Sequence, residues 1–335
     1  MNKKFKTGIL AFLLIIGVIF SGYADAPLKE LQSGVMSFSE DLAKSLPFNT
    51  TLGLNWSSAY IGKLIPSVPP HFGVGAMFGV TTMSLPAVKD IAGYMGYELP
   101  FDAGKIPLPA YTVEARLGGL FLPFDLGVKF GYIPDTKLWG KKLNVDYLLV
   151  GADLRYALLD KKLPIIPKIS IGVGLNYLKG GIGTTIGSAQ EFTYGSDTLR
   201  IDKPELNFKW DTVTLDFKAQ ASISLLILTP YIGVGGAYGW SNAGYSVNAP
   251  ITINGTNPLS PADISNIDNF LKSAGLDGVD IDSDGISSII KNKAFSFRAF
   301  GGLSINVTFI KFDLTALYNF RDNNFGGSFG IRFQL

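Results

Sequence analysis

Apolar and polar side chains alternate with a period of two from about residue 48 to the last residue. In the clearest stretch, residues 295–309, Phe295, Phe297 and Phe309 share one face and polar side chains occupy most of the other. Successive side chains of a strand point to opposite faces, so this pattern predicts strands with one apolar face. The candidate strands are 48–60, 70–82, 110–121, 123–133, 143–157, 166–178, 209–225, 229–240, 294–309, 311–321 and 325–335.

The connections between these segments fall into two classes that alternate along the chain. Short ones lie near residues 62–70, 122–123, 160–164, 229–230 and 310, and longer ones span about 84–109, 134–142, 179–208 and 241–293. A tilted strand that crosses a membrane needs about 9–11 residues, and soluble strands average only about 5–6. The candidate strands are of the longer kind, which favours a membrane barrel with short periplasmic turns and long extracellular loops.

The number of candidate strands is odd, whereas single-chain bacterial membrane barrels have even numbers. Three explanations remain open at this point. A further strand lies within 27–47, or an N-terminal helix threads the lumen as a plug, or residues 179–208 contain a hairpin. We therefore expect an all-β, transmembrane antiparallel β-barrel of about 12 strands, within a range of 10 to 14, that occupies residues 48–335.

The segment before the barrel has a different period. Apolar side chains at Leu28, Leu31, Val35, Leu42 and Leu46 recur at helical spacing, and Pro27 suits the first turn of a helix. This spacing predicts an amphipathic helix over residues 27–47, a possible plug of the lumen.

Residues 1–26 have the features of a secretory signal peptide. Lys3, Lys4 and Lys6 precede an apolar core over residues 8–20, and small residues follow. The core is too short for a membrane-spanning helix, although an uncleaved anchor is the alternative. We expect cleavage near Ala24 or Ala26 and a final location in the bacterial outer membrane.

Composition agrees with a membrane barrel and argues against other classes. Only 17% of the 335 residues are charged, against about 25% in soluble domains. Outside residues 1–26, no apolar run reaches the ~18 residues of a membrane-spanning helix. Removal of residues 1–26 takes away three Lys and one Asp, which leaves 26 basic (29 − 3) and 26 acidic (27 − 1) residues. This neutral balance does not support a nucleic-acid partner.

The C-terminus resembles the assembly signal of Gram-negative outer-membrane β-barrel proteins. In that signal a polar residue is followed by Gly and then by apolar residues at fixed spacing, and Ser328, Gly330, Phe333 and Leu335 occupy these positions. The terminal Leu departs from the usual Phe. The resemblance covers residues 48–335 and implies outer-membrane lipids and the barrel-assembly machinery as partners.

Charged side chains of both signs fall on the polar faces of the strands. A selective pore tends to carry one sign at its constriction, whereas opposite charges more often form an internal network. Both a structural network and a role in guiding a solute remain open. The candidates for the lumen lining are Glu114, Arg116, Asp125, Lys129, Asp216, Lys218, Arg298, Asp313 and Arg332.

One acidic stretch in the longest loop matches the first half of a calcium-binding loop. Asp280, Asp282 and Asp284 alternate and are followed by Gly285. The twelfth position is Lys291, where such a loop needs a bidentate Glu, so at most a weak calcium site is expected within residues 277–285. No other cofactor is indicated.

No catalytic constellation is visible, so we do not expect an enzyme. His71 is the only histidine, it adjoins a predicted periplasmic turn, and no orienting partner is visible in the sequence. The leading functional hypothesis is a porin-like channel for passive passage of small solutes. The alternatives are a surface-displayed structural or adhesion barrel, and a transporter of hydrophobic substrates that resembles the fatty-acid channels.

Overall fold

The computed structural model describes residues 28–65, 67–84, 105–138, 143–160, 166–185, 189–194, 197–203, 205–248, 250–255, 265, 280–281 and 285–335. One long helix, α1 (Leu28–Asn49), precedes the strands. The strands are β1 (Lys63–Ile65), β2 (Phe72–Ser84), β3 (Lys105–Leu120), β4 (Phe124–Leu138), β5 (Leu143–Leu159), β6 (Lys168–Thr185), β7 (Gln190–Tyr194), β8 (Asp197–Ile201), β9 (Glu205–Ser222), β10 (Leu228–Asn248), β11 (Ile251–Ile253), β12 (Asp280–Ile281), β13 (Gly285–Val307), β14 (Ile310–Asn319) and β15 (Asn324–Gln334).

Ten of the described strands form a closed antiparallel barrel. The order around the wall is β2, β3, β4, β5, β6, β9, β10, β13, β14 and β15, and β15 pairs with β2 to close it. The expectation of about 12 strands is therefore wrong, although ten lies within the predicted range. Outside the barrel, β1 pairs in parallel with β3, and β7, β8 and β11 form a separate sheet.

The predicted strand 48–60 is absent, which resolves the odd strand number. Residues 50–62 instead run through the lumen, and all of them except Ser58 and Gly62 are buried. A segment that is enclosed on every side buries both its apolar and its polar side chains. Alternation of the two kinds therefore does not show, for such a segment, that it is a strand with one apolar and one polar surface. Residues 179–208 do contain a hairpin, β7–β8, but it lies outside the barrel wall.

The two ends of the barrel differ as the connection lengths predict. One end, here the turn end, carries the connections 121–123, 160–167, 223–227 and 308–309 and the C-terminus. The other end, the loop end, carries the longer connections, including 85–104, 186–204 and 249–284.

The outer surface of the wall is apolar, as lipid contact requires. Alternate residues of each strand expose large hydrophobic side chains while their neighbours are buried in the lumen. No helix among the described residues is long and apolar enough to cross a membrane. The exposed set includes Val74, Phe78, Val113, Leu117, Val128, Phe130, Leu154, Leu175, Phe217, Ile232, Phe297, Leu314, Phe329 and Ile331. The wall is thus that of a transmembrane β-barrel.

The lumen has two halves of different chemistry. Toward the loop end, α1 packs against β2, β9, β10 and β13 through buried apolar side chains. Toward the turn end, the wall presents charged and amide side chains to residues 50–62. The apolar half includes Leu42, Leu46, Phe48, Met83, Leu108, Tyr147, Leu149, Leu178 and Trp210.

Candidate functional site

The candidate site is the lumen together with the chain that fills it, residues 50–62, which we term the lumen segment. It follows α1, whose Phe38 ring lies 4.6 Å from the ring of Phe208, near the loop end of β9. At the other extreme, the Ile61 N–H donates to Asp125 Oδ2 at 3.2 Å, near the turn end of β4. The chain therefore passes along the lumen from one end to the other.

Lysine side chains of the wall hold the first part of the lumen segment. Lys129 Nζ donates to the carbonyl oxygens of Thr50 and Leu52 at 2.7 and 2.5 Å. Lys218 Nζ donates to the Leu54 carbonyl at 3.1 Å. An irregular buried backbone has no ladder partners, so side chains must satisfy its carbonyls. These two lysines do so from different strands.

The middle of the lumen segment is anchored by one buried carboxylate. Glu114 accepts hydrogen bonds from the Leu54 N–H at 2.9 Å and from Trp56 Nε1 at 2.6 Å. Two guanidinium groups lie over the Trp56 ring, that of Arg332 at 4.8 Å from the ring centroid and that of Arg116 at 5.6 Å. A cation over an aromatic ring is attracted by the ring quadrupole, so the wall holds both the N–H and the ring of this indole.

The second half of the segment is bound by further wall groups. Gln220 Nε2 donates to the carbonyls of Trp56 and Ser57, at 2.7 and 3.2 Å. The Ala59 N–H donates to Ser222 Oγ at 2.9 Å.

A network of five buried charges lies at the turn end. Arg116 bridges Asp125 and Asp153, at 2.5 and 2.7 Å. Asp125 also binds Arg155 at 2.8 Å, and Asp153 binds Lys218 at 2.5 Å. Buried charges require partners of opposite sign, and removal of one partner leaves a costly isolated charge. The network therefore makes the positions of these groups interdependent.

Two further ion pairs lie on the inward face of the wall. Arg298 makes a bidentate contact with Asp216, at 2.7 and 3.0 Å. Arg332 pairs with Asp313 and also donates to Ser57 Oγ of the lumen segment at 2.9 Å.

All nine residues proposed for the lumen lining lie buried on the inward face. They carry charges of both signs rather than rings of one sign. Arg116, Asp125 and Lys218 belong to the five-charge network, Asp216 with Arg298 and Asp313 with Arg332 form separate ion pairs, and Glu114 and Lys129 bind the lumen segment. Trp56 and Gln220 are not among the predicted site residues. Trp56 lies in residues 48–60, which the alternation predicts as a strand of the wall. The polar alternation of residues 212–224 places Gln220 on the inward face, but no local signal indicates its partner.

The remaining predicted residues have separate positions. Ser328 and Gly330 of the assembly signal face the lumen, Phe333 faces outward, and all three lie on β15, the strand that closes the barrel. Leu335 follows that strand, and its carbonyl oxygen lies 3.1 Å from His71 Nδ1. Of the calcium candidates, Asp282 and Asp284 lie outside the described residues, and Asp280 falls in β12. Among the described residues, no group of three or more His, Asp or Glu side chains is placed to hold a metal ion.

Several solved structures have a similar arrangement of strands. The outer-membrane protease OmpT from Escherichia coli is 9% identical, with 80% of this chain and 97% of that chain covered and a TM-score of 0.40. The translocator domain of the autotransporter NalP from Neisseria meningitidis is 10% identical, with coverage of 81% and 91% and a TM-score of 0.33. A FadL homologue from Pseudomonas aeruginosa is 6% identical, with coverage of 79% and 90% and a TM-score of 0.25.

The sequence comparisons give a family. No protein with a curated description matches the chain at a significant level. The family profile described as Lsa36-like matches residues 110–335, which is more than half of the chain and includes eight of the ten barrel strands and most of β3. The chain therefore belongs to the Lsa36-like family.

Proposed function

We propose that this protein is a closed outer-membrane barrel that presents the structures at its loop end to the cell exterior, as a surface-display or adhesion scaffold. The observation that carries the proposal is the filled lumen. α1 and residues 50–62 together occupy it from end to end, and wall side chains bind the backbone of residues 50–62. An eight-stranded barrel is filled by its own side chains and open porins use 16–18 strands. A ten-stranded wall is much closer to the filled class than to the open porins.

The loop end offers the surface that such a scaffold would present. β10 and β13 have 21 and 23 residues, about twice the length that a membrane crossing needs, and they stay paired as far as Asn248 and Gly285. The sheet of β7, β8 and β11 lies beyond the wall at the same end. It carries an exposed cluster in which Arg200 pairs with Glu191 and Asp202, at 3.2 and 2.8 Å.

Cysteine labelling in intact cells tests this orientation, because the chain has no native cysteine. Thr198→Cys places a thiol on the exposed face of β8, and Val68→Cys places one at the turn end, where Val68 is 96% exposed. We expect a membrane-impermeant maleimide to label the first variant in intact cells and the second only after the outer membrane is opened. Labelling of Val68→Cys in intact cells would reject the proposed orientation.

A second candidate function is solute passage after release of the lumen segment. It is favoured by the chemistry of the wall, since the segment is held by hydrogen bonds and the side chains behind it are charged. The paired substitutions Ala59→Cys and Ser222→Cys would join the segment to β9, because the backbone nitrogen of Ala59 lies 2.9 Å from Ser222 Oγ.

Planar-bilayer conductance separates the two functions. For a scaffold, we expect the unmodified protein to stay silent at all applied voltages. For a channel with a releasable segment, we expect open steps that the disulfide abolishes and a reductant restores. Open steps that persist with the disulfide formed would contradict both descriptions of the lumen segment.

We also propose that residues 1–26 direct export and are cleaved near Ala24 or Ala26, although they lie outside the described residues. Outer-membrane lipids and the barrel-assembly machinery are the proposed partners, by analogy with the C-terminal signal. The scaffold needs no catalytic group and no cofactor.

A further inference from the structure

The wall of the barrel contains one incompletely paired seam, between β3 and β4. The ladder joins residues 113–118 to residues 125–130 only. Both strands continue well beyond this ladder toward the loop end, to Lys105 and to Leu138, and there each is paired with its other neighbour. The seam is therefore hydrogen-bonded near the turn end and lacks ladder pairs on the loop-end side of Val113 and Phe130.

Prolines on β3 explain why the ladder stops. The Gly118 N–H donates to the His71 carbonyl on the β2 side at 2.9 Å. Successive N–H groups of a strand point alternately to its two neighbours, and the β2–β3 register is continuous, so odd-numbered residues of β3 direct their N–H toward β4. Pro107 and Pro109 are odd-numbered and have no N–H. Both missing donors therefore belong to the seam.

The facing strand also carries a proline close to the end of the ladder. The Ala157 N–H donates to the Pro123 carbonyl at 2.7 Å, so odd positions of β4 face β5 and even positions face β3 as far as Ile133. The β4–β5 register shifts between Ile133 and Thr136, and Pro134, which has no N–H to donate, lies in this irregular stretch. In place of a ladder bond, the Tyr111 hydroxyl donates to the Tyr132 carbonyl.

On the lipid side, a concavity of about 920 Å³ borders the end of the ladder and lies over its last pairs, on the turn-end side of the opening. Its lining is almost wholly apolar. It follows one row of the register across five strands, from β3 to β9. The outward side chains on that row are Val113, Phe130, Val150, Tyr177 and Val213.

On the lumen side, the seam faces the apolar half. Tyr147, Gly180 and Trp210 lie side by side on β5, β6 and β9, and the Trp210 ring covers the bare backbone of Gly180. The Tyr147 hydroxyl and Trp210 Nε1 are buried and have no hydrogen-bond partner within the described part of the chain. Two unpaired donors in an apolar wall favour a ligand that brings an acceptor.

We propose that the β3–β4 seam is a lateral entry through which a single-chain amphiphile passes from the membrane into the apolar half of the lumen. Its apolar chain fits the concavity and the side chains behind the seam. Its head group, a carboxylate or an ester carbonyl, accepts hydrogen bonds from Tyr147 and Trp210. The closed turn end keeps this ligand from continuing along the lumen.

Photolabelling of the full-length protein in phosphatidylcholine vesicles tests the proposal, with a diazirine-bearing fatty acid as the probe. We expect mass spectrometry to locate adducts on inward Tyr147 and Trp210 as well as on outward Phe130. Replacement of Pro107, Pro109 and Pro134 by valine restores three backbone N–H donors. In this variant we expect the inward labelling to fall at least about ten-fold and the outward labelling to stay unchanged. Pro230→Val, on β10 away from the seam, is the matched control.

Two results would overturn the proposal. One is labelling confined to outward residues in the unmodified protein. The other is inward labelling that the folded triple-valine variant retains. If the triple variant does not fold, as judged by heat-modifiable gel migration, the proposal is tested with the double variant Tyr147→Phe and Trp210→Phe. That variant keeps the apolar surface and removes both donors, so unchanged inward labelling would then reject the head-group site. Cysteine labelling of the Thr198→Cys and Val68→Cys variants measures only the orientation of the barrel. A failure of the proposed display function can therefore be told apart from a failure of the proposed lateral entry.

Discussion

At the scale of single residues, the lumen is organised by side chains that serve two structures at once. Glu114 belongs to the wall strand β3, yet it accepts hydrogen bonds from the Leu54 N–H, Trp56 Nε1 and the Thr112 hydroxyl. Only one of these three donors is on its own strand. The carboxylate therefore couples the lumen segment to the wall more directly than an ion pair within the wall does.

Replacement of Glu114 by alanine should destabilise the folded protein by about 2–5 kcal/mol, because each buried donor left without an acceptor costs about 1–3 kcal/mol. Two donors of the lumen segment would be left unsatisfied in a buried site. Urea unfolding in lipid vesicles, followed by heat-modifiable migration, measures the change.

The matched control is Glu191→Ala. Glu191 pairs with Arg200 at 3.2 Å, but its side chain is 59% exposed, so no measurable change is expected. Equal unfolding midpoints for the Glu114 and Glu191 variants would show that the lumen segment does not depend on this carboxylate.

At the scale of elements, β3 has two unequal edges. Along β2 it is paired from Lys105 to Leu117, and along β4 it is paired only from Val113 to Gly118. The difference comes from prolines whose missing N–H groups all face one seam. An edge without ladder partners within a membrane is costly, and the Tyr111 hydroxyl offsets part of that cost by binding the Tyr132 carbonyl.

Amide hydrogen exchange should reveal this asymmetry as an alternation along β3. The N–H of Tyr111 points to the open seam, and those of Ala110 and Thr112 point to the paired β2 edge. We expect the Tyr111 amide to exchange at least about ten-fold faster than its two neighbours. Uniform protection of all three amides would mean that the seam is closed in the membrane.

At the scale of the whole molecule, the barrel depends on closure by its last strand. β15 pairs with β14 on one side and with β2 on the other, so the first and last wall strands meet. The assembly-signal residues Ser328, Gly330 and Phe333 lie on this strand. Closure removes the free sheet edges, which hydrocarbon does not tolerate.

Deletion of residues 324–335 should therefore abolish the heat-modifiable folded form and not merely weaken it, because two wall edges would be left without partners. Deletion of residues 190–201 is the control, since it removes only the hairpin β7–β8 outside the wall, and the folded form should persist. A folded fraction for the first deletion similar to that of the second would contradict a structural need for β15. Gel migration before and after heating measures both.

The strands that contact lipid were the most predictable part of this protein. Their outward face contacts hydrocarbon and their inward face contacts polar groups. The polarity of each side chain therefore indicates which way it points, as in Phe297, which points outward, and Arg298, which points inward. The inward position of all nine lumen candidates follows from the same period. The N-terminal helix was predictable as well, because α1 buries a stripe of side chains at helical spacing.

What only the tertiary structure decided is which residues lie inside the wall and which form it. The sequence determined a membrane barrel, its two kinds of connection and its inward charges, because those depend on local period and length. It could not separate residues 50–62 from a strand, since enclosure buries alternating side chains on every side. Nor could it reveal that Pro107 and Pro109 face the β3–β4 seam, because that depends on which neighbouring strand pairs with each edge of β3. Contacts such as that of Trp56 with Glu114 join residues 58 positions apart, and only closure of the barrel brings them together.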